Sequence, residues 1–175
     1  MFDALFTTTT EYKKLSHALS GKGACALFGL PASGRAQVYA ALCRQLDKPL
    51  CIVTPGEAEA TRFAADLNTL GIPAAVFPAR DYVLRPIEGT AREYEYRRLA
   101  VLGELVGGRL RAVAVPAEAL TQFTTPKEDF CANTRTLHAG DTLLRDDLLA
   151  ALFGAGYTRR AQVDGPGQFS VRGDI

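Results

Sequence analysis

The stretch 26-ALFGLPASGRAQVYAAL-42 joins a short apolar run to a helix-like pattern through a glycine-containing turn. Gly29 and Gly34 have the spacing of a loop that cradles phosphate groups between a strand and a helix. A working loop of this kind then needs a lysine, which neutralises phosphate charge, and a serine or threonine, which ligates magnesium. Those two places hold Arg35 and Ala36, so the glycine spacing is kept and the chemistry is altered.

Further along the chain, apolar runs of similar length recur. Each run is continuous rather than alternating, which is typical of parallel strands buried on both faces. Helical patterns separate the runs, and this alternation predicts right-handed strand–helix–strand units in a three-layer α/β sandwich. The four runs are 24-ACALFGL-30, 50-LCIVTP-55, 72-IPAAVFP-78 and 111-RAVAVP-116.

Two of the intervening helices carry a clear apolar stripe. The first follows the second run and should stop at Gly71 and Pro73. The second lies within 90–108, between the third and fourth runs. The predicted stripes are Ala60, Phe63, Ala64, Leu67 and Leu70 for the first helix, and Tyr94, Leu99, Leu102, Leu105 and Val106 for the second.

The pattern changes after about residue 120. We interpret 121–131 as a linker or crossover and 134–141 as an exposed antiparallel strand, followed by a short helix within 144–157. Two strands around an Asp164–Gly167 turn complete this second unit, and Ile175 begins an apolar strand, so we expect a piece of a longer polypeptide. The predicted fold class is therefore α/β: a P-loop-NTPase-like (RecA-like) parallel sheet with a degenerate P-loop over 1–120, then a smaller α+β domain over 121–175.

The glycine loop admits two interpretations. It binds a phosphate or nucleotide weakly, or its glycines merely form a tight turn from strand to helix. The fourth apolar run places Pro116 and Ala117 where a magnesium-coordinating aspartate would be sought, and the nearby carboxylate is Glu118. We therefore favour the turn, and expect no catalytic residue, no ATP binding and no cofactor at the residues Gly29, Ser33, Gly34 and Arg35.

The pattern of residues 159–172 predicts a hairpin in which two arginines face each other. If 164-DGPG-167 closes a four-residue hairpin, Val163 faces Gln168 and Arg159 lies opposite Arg172. Two like charges directly across a strand pair repel each other, so an acid must satisfy them. That acid is either internal, from Asp146 or Asp147, or belongs to a partner protein. Arg160 lies beside this pair and points to the other face.

Composition excludes several classes. The net charge of +1 gives no global field for nucleic acid. The four cysteines and two histidines lack zinc-binding spacing, and Cys25 and Cys51, inside apolar runs, are predicted to be small buried hydrophobes in a reducing compartment. No apolar run is long enough to span a bilayer, and no signal peptide is evident. A cytoplasmic protein that uses neither metal nor membrane is the expectation.

Two segments of the chain resemble known bacterial DNA-repair proteins. The segment 155-AGYTRRAQVDGPGQFSVRGDI-175 resembles a signature shared by UvrB, the damage-recognition subunit of nucleotide excision repair, and the bacterial transcription-repair coupling factors (Mfd). The segment 77-FPARDYVLRPIEGTAREYEYRRLAVLGEL-105 is similar to the coupling factors' aspartate–aromatic segment and following helix. UvrB has an intact P-loop and a long DNA-clamping hairpin. Here the loop is degenerate and only 80-RDYVLRPIEG-89 occupies the hairpin's place, as in the N-terminal UvrB-homology module of the coupling factors.

The resemblance implies a catalytically inert module whose first domain is like UvrB domain 1a and whose second, like UvrB domain 2, binds UvrA. Arg159 and Arg172 match the family's UvrA-binding arginines, whereas Ser170 stands where UvrB-like sequences often have a further arginine. RNA polymerase and duplex DNA would be engaged by other parts of such a parent protein. Two alternatives stay open: a nucleotide-binding ATPase or switch that uses Arg35, and a damaged-DNA-binding module that uses Arg92, Arg97 and Arg98.

Overall fold

The computed structural model describes residues 6–21, 23–46, 48–80 and 93–173. The chain divides into two compact units, Met1–Phe123 (unit 1) and Thr124–Ile175 (unit 2). The sequence placed the boundary at residue 120. The predictions for 81–92, which include Arg92, and for Ile175 lie outside the described residues.

Unit 1 alternates helices and strands. Its described elements are α1 (Thr10–Ser20), α2 (Ala32–Gln45), β1 (Leu50–Thr54), α3 (Glu57–Thr69), β2 (Ala74–Val76), α4 (Glu93–Val106), β3 (Ala112–Pro116) and α5 (Ala117–Leu120). Three of the four predicted strands are thereby confirmed.

The three strands form one parallel sheet in the order β1-β3-β2. In the central strand every residue is buried, as the continuous apolar run predicts. Its register aligns Ala112 with both Leu50 and Ala74, and Thr54 lies beside Pro116. The predicted α/β class with parallel strands is confirmed for this small sheet, and the RecA-like assignment stays a prediction.

Helices pack on both faces of the sheet because side chains alternate along β3. Ala112 and Ala114 join one buried cluster with residues of α2 and α3. Val113 and Val115 join a second cluster, to which α4 contributes Val101. A further cluster holds α1 against α2, where the Tyr12 hydroxyl donates to Gln45 Oε1 over 3.0 Å. Unit 1 therefore has a continuous apolar interior on each side of β3.

The connection from α3 to β2 follows the predicted stop signal. Gly71 has a φ of +76°, which glycine adopts without strain, and the helix ends just before it. Asn68 then secures the turn, because its amide nitrogen donates to Ala74 O over 2.8 Å and its amide oxygen accepts from Ala74 N over 3.1 Å. The predicted stripe of α3 is confirmed, with four of its five residues buried: Ala60, Phe63, Ala64 and Leu67.

The predicted first strand is wrong. Residues 23–30 form no helix or strand and are largely exposed, including Phe28 at 87%. Cys25 and Cys51 are likewise exposed, which contradicts their predicted burial, whereas Cys43 is buried. An apolar run becomes a strand only where a neighbouring strand supplies its hydrogen bonds. None of the described strands pairs with this run.

The stripe predicted for α4 is also partly wrong. Leu99 and Val106 are each 45% exposed, while Arg98 and Val101 are the buried residues of this helix. On this buried face Arg98 donates hydrogen bonds to Pro78 O and Gln122 Oε1, as described below.

Unit 2 contains short elements: α6 (Lys127–Ala132), α7 (Arg145–Gly154), β4 (Thr158–Arg159) and β5 (Gln168–Phe169). The helix predicted within 144–157 is confirmed. The stretch interpreted as a linker includes α6, and 134–141 is not a strand. The segment 134–141 contains a turn instead. There the Asp141 carboxylate accepts from the His138 backbone N–H over 2.7 Å.

Within the described residues no helix is long and apolar enough to cross a membrane. The same residues bring together no group of three histidine, cysteine or acidic side chains suited to a metal ion.

Candidate partner-binding site

The residues of the glycine loop contact other residues of unit 1. Gly29 turns the chain with a φ of +81°, and Ser33, Gly34 and Arg35 lie in the first turn of α2. The Arg35 guanidinium lies 3.6 Å from the Glu59 carboxylate and 5.7 Å from the centre of the Phe63 ring, both on α3. Its charge is therefore directed to a neighbouring helix.

Ala36, which replaces the magnesium-binding hydroxyl, is 2% exposed and belongs to the buried cluster. A methyl group at this place contributes to packing and offers no ligand. At this place the loop therefore lacks the hydroxyl that would ligate magnesium.

Arg98, predicted as a possible DNA contact, is buried. It is 4% exposed, and its Nη1 donates to Pro78 O over 2.8 Å and to Gln122 Oε1 over 3.1 Å. The guanidinium also lies 4.1 Å from the centre of the Phe77 ring. Desolvation by burial lowers the pKa of Arg98, and the charge of Arg80 lowers it further.

Gln122 completes this arrangement, because its side chain accepts from Arg80 N over 2.7 Å and donates to Arg80 O over 3.1 Å. Arg98 and Gln122 therefore tie α4 to the segments that follow β2 and α5. Arg97 is exposed, 6.0 Å from the centre of the Tyr94 ring. Of the arginines predicted as DNA contacts, Arg98 is therefore buried and Arg97 lies on the surface.

In the tail, the predicted hairpin register is wrong. β4 and β5 pair in parallel, with Thr158 beside Gln168 and Arg159 beside Phe169. Val163 does not face Gln168, and Arg159 does not face Arg172. Because only two residues of each strand pair, the connection 160–167 can loop back and enter β5 in the same direction as β4. The predicted repulsion between Arg159 and Arg172 across a strand pair therefore does not arise.

Arg159, Arg160 and Arg172 are all exposed. Arg172 Nη2 donates to Ala161 O over 3.4 Å, and the Ser170 hydroxyl donates to the same carbonyl over 3.0 Å. No described carboxylate, including those predicted as internal partners, Asp146 and Asp147, forms an ion pair with these arginines. Their charge faces solvent in the part of the chain that the structure describes.

A groove of about 900 Å³ lies between α7 and the segment around β5 in unit 2. The structure places Arg172 in its lining, together with Arg145, but neither Arg159 nor Arg160. The sequence patterns gave no indication of Arg145, which reads as an ordinary exposed residue at the start of a helix. The other lining residues are Leu143, Leu148, Leu149, Leu152, Gln162, Val163, Phe169, Ser170 and Val171.

Residues 136–175, which contain the groove and all three arginines, match the UvrB interaction domain family. The chain is 28% identical over 151 residues to the transcription-repair-coupling factor of Bacillus subtilis, which covers 85% of this chain. It is 26% identical over 149 residues to the Staphylococcus aureus (strain USA300) protein of the same name, and 26% identical over 164 residues to the UvrABC system protein B of Chlorobium limicola.

The resemblance to the UvrB-homology region of transcription-repair coupling factors is confirmed. The chain spans 13% of the length of the two coupling factors and 24% of that of the Chlorobium protein. The match to UvrB covers 85% of this chain, so the similarity includes unit 1 as well as the interaction domain.

Proposed function

We propose that this chain is a non-catalytic interaction module of a transcription-repair coupling factor that binds UvrA in transcription-coupled nucleotide excision repair. The observation that carries the proposal is the match of residues 136–175 to the UvrB interaction domain. Within that range, Arg159, Arg160 and Arg172 are exposed and form no ion pair with a described carboxylate. Exposed arginines on such a domain are suited to pair with carboxylates of UvrA.

The absence of catalysis and of a cofactor is part of the proposal. Arg35 interacts with Glu59 and Phe63, and Ala36 packs in the core, which supports a loop that serves as a turn. We infer that unit 1 corresponds to UvrB domain 1a, a RecA-like domain whose nucleotide site has degenerated, and that unit 2 corresponds to UvrB domain 2. RNA polymerase and duplex DNA would be engaged elsewhere in the parent protein, which would act in the cytoplasm.

The proposal is tested by titrating UvrA into the chain in a calorimeter. Arg159→Glu and Arg172→Glu should each weaken binding, because they place a carboxylate against the acidic groups of the partner. The expected cost for an interfacial arginine is about 2 kcal/mol or more, which is roughly thirtyfold in affinity.

Arg135→Glu is the matched control, since it makes the same charge change at an exposed position of unit 2 just outside the matched range. It should bind like the wild type. If the wild type does not bind UvrA, the proposed function is wrong. If folded Arg159→Glu and Arg172→Glu both bind as tightly as Arg135→Glu, the assigned arginines are wrong.

A further inference from the structure

The loop 160–167, which joins β4 to β5, begins with Arg160 and directly follows Arg159. Both arginines are exposed. Backbone hydrogen bonds fasten the two ends of the loop, because Arg160 N donates to Phe169 O over 2.9 Å and Gly167 O accepts from β4 over 2.9 Å. The interior of the loop forms no helix or strand. Ordering such a segment costs conformational entropy, so contacts from side chains decide how well it is held.

Side chains at alternate positions after the loop bind its interior. Gln168 Oε1 accepts from Asp164 N over 2.9 Å, and Ser170 Oγ donates to Ala161 O over 3.0 Å. Arg172 Nη2 donates to the same carbonyl over 3.4 Å. A spacing of two residues is that of side chains on one face of an extended segment. One face of this segment therefore contacts the loop at both of its sides.

The two donors to Ala161 O are not equivalent. The Ser170 bond has an ordinary length and its residue is half-buried, whereas the Arg172 bond is longer than is usual and its residue is exposed. A serine also loses less side-chain entropy than an arginine when it is held in one position. Ser170 is therefore the stronger restraint on the loop, and it keeps the carbonyl bonded when Arg172 turns toward a carboxylate of a partner.

We propose that Ser170, together with Gln168, is a positioning residue that holds the loop in the conformation in which Arg159 and Arg160 bind UvrA. The proposal rests on the proposed function, because UvrA is taken from there. A loop that already has its binding conformation loses less conformational entropy on association, and a larger fraction of the free chain is competent to bind. Ser170 thus supports binding without contacting UvrA itself.

Ser170→Ala tests the proposal first without UvrA. Removing one hydrogen bond should let the loop open about fivefold more often, so tryptic cleavage after Arg160 should become about fivefold faster. Mass spectrometry of timed digests of the 175-residue chain measures this rate.

The second measurement is surface plasmon resonance with UvrA. For Ser170→Ala the association rate constant should fall about fivefold, because fewer free chains are competent, while the dissociation rate constant stays within about twofold. A residue that contacts UvrA directly would instead act mainly on dissociation.

Three further variants complete the test. Gln168→Ala releases Asp164 N and should act like Ser170→Ala, whereas Ser170→Thr keeps the hydroxyl and should restore both rates to within about twofold of the wild type. Thr134→Ala is the matched control, since its hydroxyl donates to Phe130 O over 2.7 Å at an exposed position of unit 2 outside the matched range. It should change neither rate.

The outcomes separate the two proposals. If UvrA binds but neither Ser170→Ala nor Gln168→Ala slows association, the positioning role is overturned and the proposed function stands. Faster dissociation from Ser170→Ala with unchanged tryptic cleavage would make Ser170 a contact residue and would also overturn the positioning role. If UvrA does not bind the wild type, both proposals are overturned.

Discussion

The two units of this chain differ in where they place their apolar side chains. In unit 1 they fill clusters on both faces of β3, whereas unit 2 buries Phe169 and leaves Leu144, Phe153 and Val163 substantially exposed. Free energy of folding follows buried apolar area, so unit 1 supplies most of the stability of the chain. A unit that buries little internally is suited to bury its surface against a partner. Under the proposed function, unit 1 is thus the scaffold and unit 2 carries recognition.

The largest expected difference concerns two cysteines. Cys43 is 1% exposed in the core of unit 1, and Cys131 is exposed in unit 2. Iodoacetamide can reach Cys43 only when unit 1 opens, which costs several kcal/mol, so its labelling should be at least about a thousandfold slower than that of Cys131. Mass spectrometry of peptides from timed reactions measures both rates. Equal rates would show that unit 1 lacks a stable core.

The same thiol gives a pH dependence. Burial raises the pKa of Cys43, against the lowering effect of Arg111 and Arg44. The folded state therefore holds this proton more tightly than the unfolded state. Its contribution to stability is present below the unfolded pKa of about 8.5 and is lost as pH rises above it. Urea denaturation at increasing alkaline pH should show unit 1 weakening, and Cys43→Ala should reduce that dependence.

A leucine in each unit sharpens the contrast. Leu67 is 0% exposed in α3, so Leu67→Ala should lower the free energy of unfolding by about 3 kcal/mol through lost burial and a residual cavity. Leu152→Ala, on the half-buried face of α7, should cost under about 1 kcal/mol. Urea denaturation followed by circular dichroism measures both. A larger cost at Leu152 would mean that unit 2 has a core of its own.

Neighbouring arginines of α4 provide the next test within unit 1. Arg98→Ala removes the donor to Pro78 O and Gln122 Oε1 and should cost about 2 kcal/mol, because the buried Pro78 carbonyl loses this hydrogen bond, while Gln122 Oε1 keeps the one from Arg80 N. Arg97→Ala, at an exposed position one residue earlier, should change stability by less than about 0.5 kcal/mol. Urea denaturation followed by circular dichroism measures the free energy of unfolding of both variants. Similar small effects for both would contradict a structural role for Arg98.

The smallest effect is expected at the glycine loop. Arg35 and Glu59 are both partly exposed, so Arg35→Ala should lower stability by under about 1 kcal/mol, and less at high salt. Calorimetry with ATP, with and without magnesium, should give no binding heat for the wild type or the variant. Micromolar, magnesium-dependent binding that Arg35→Ala abolishes would restore the nucleotide-binding alternative.

These comparisons also show what the sequence could and could not predict. The runs that became β1, β2 and β3 were recognisable because continuous apolar residues are typical of strands covered on both faces. The run at 24–30 has the same composition and forms no strand, because local composition does not specify a neighbour for pairing.

Long-range contacts explain the other differences. Arg98 was predicted as a possible DNA contact, and its acceptors lie 20 and 24 residues away along the chain. The hairpin register assumed that the turn alone sets strand direction, whereas Asp164 N donates to Gln168 Oε1 and the strands run parallel. Resemblance to a motif predicts Arg172 as a site residue, and Arg145 lines the same groove because α7 and β5 bound it.

Hydrogen exchange of the chain with and without UvrA tests the central claim most directly. We predict that UvrA slows exchange in peptides covering α7 and residues 158–172, and leaves the peptides of α2, α3 and β3 unchanged. Protection confined to unit 1, or no protection anywhere at saturating UvrA, would contradict the assignment of recognition to unit 2.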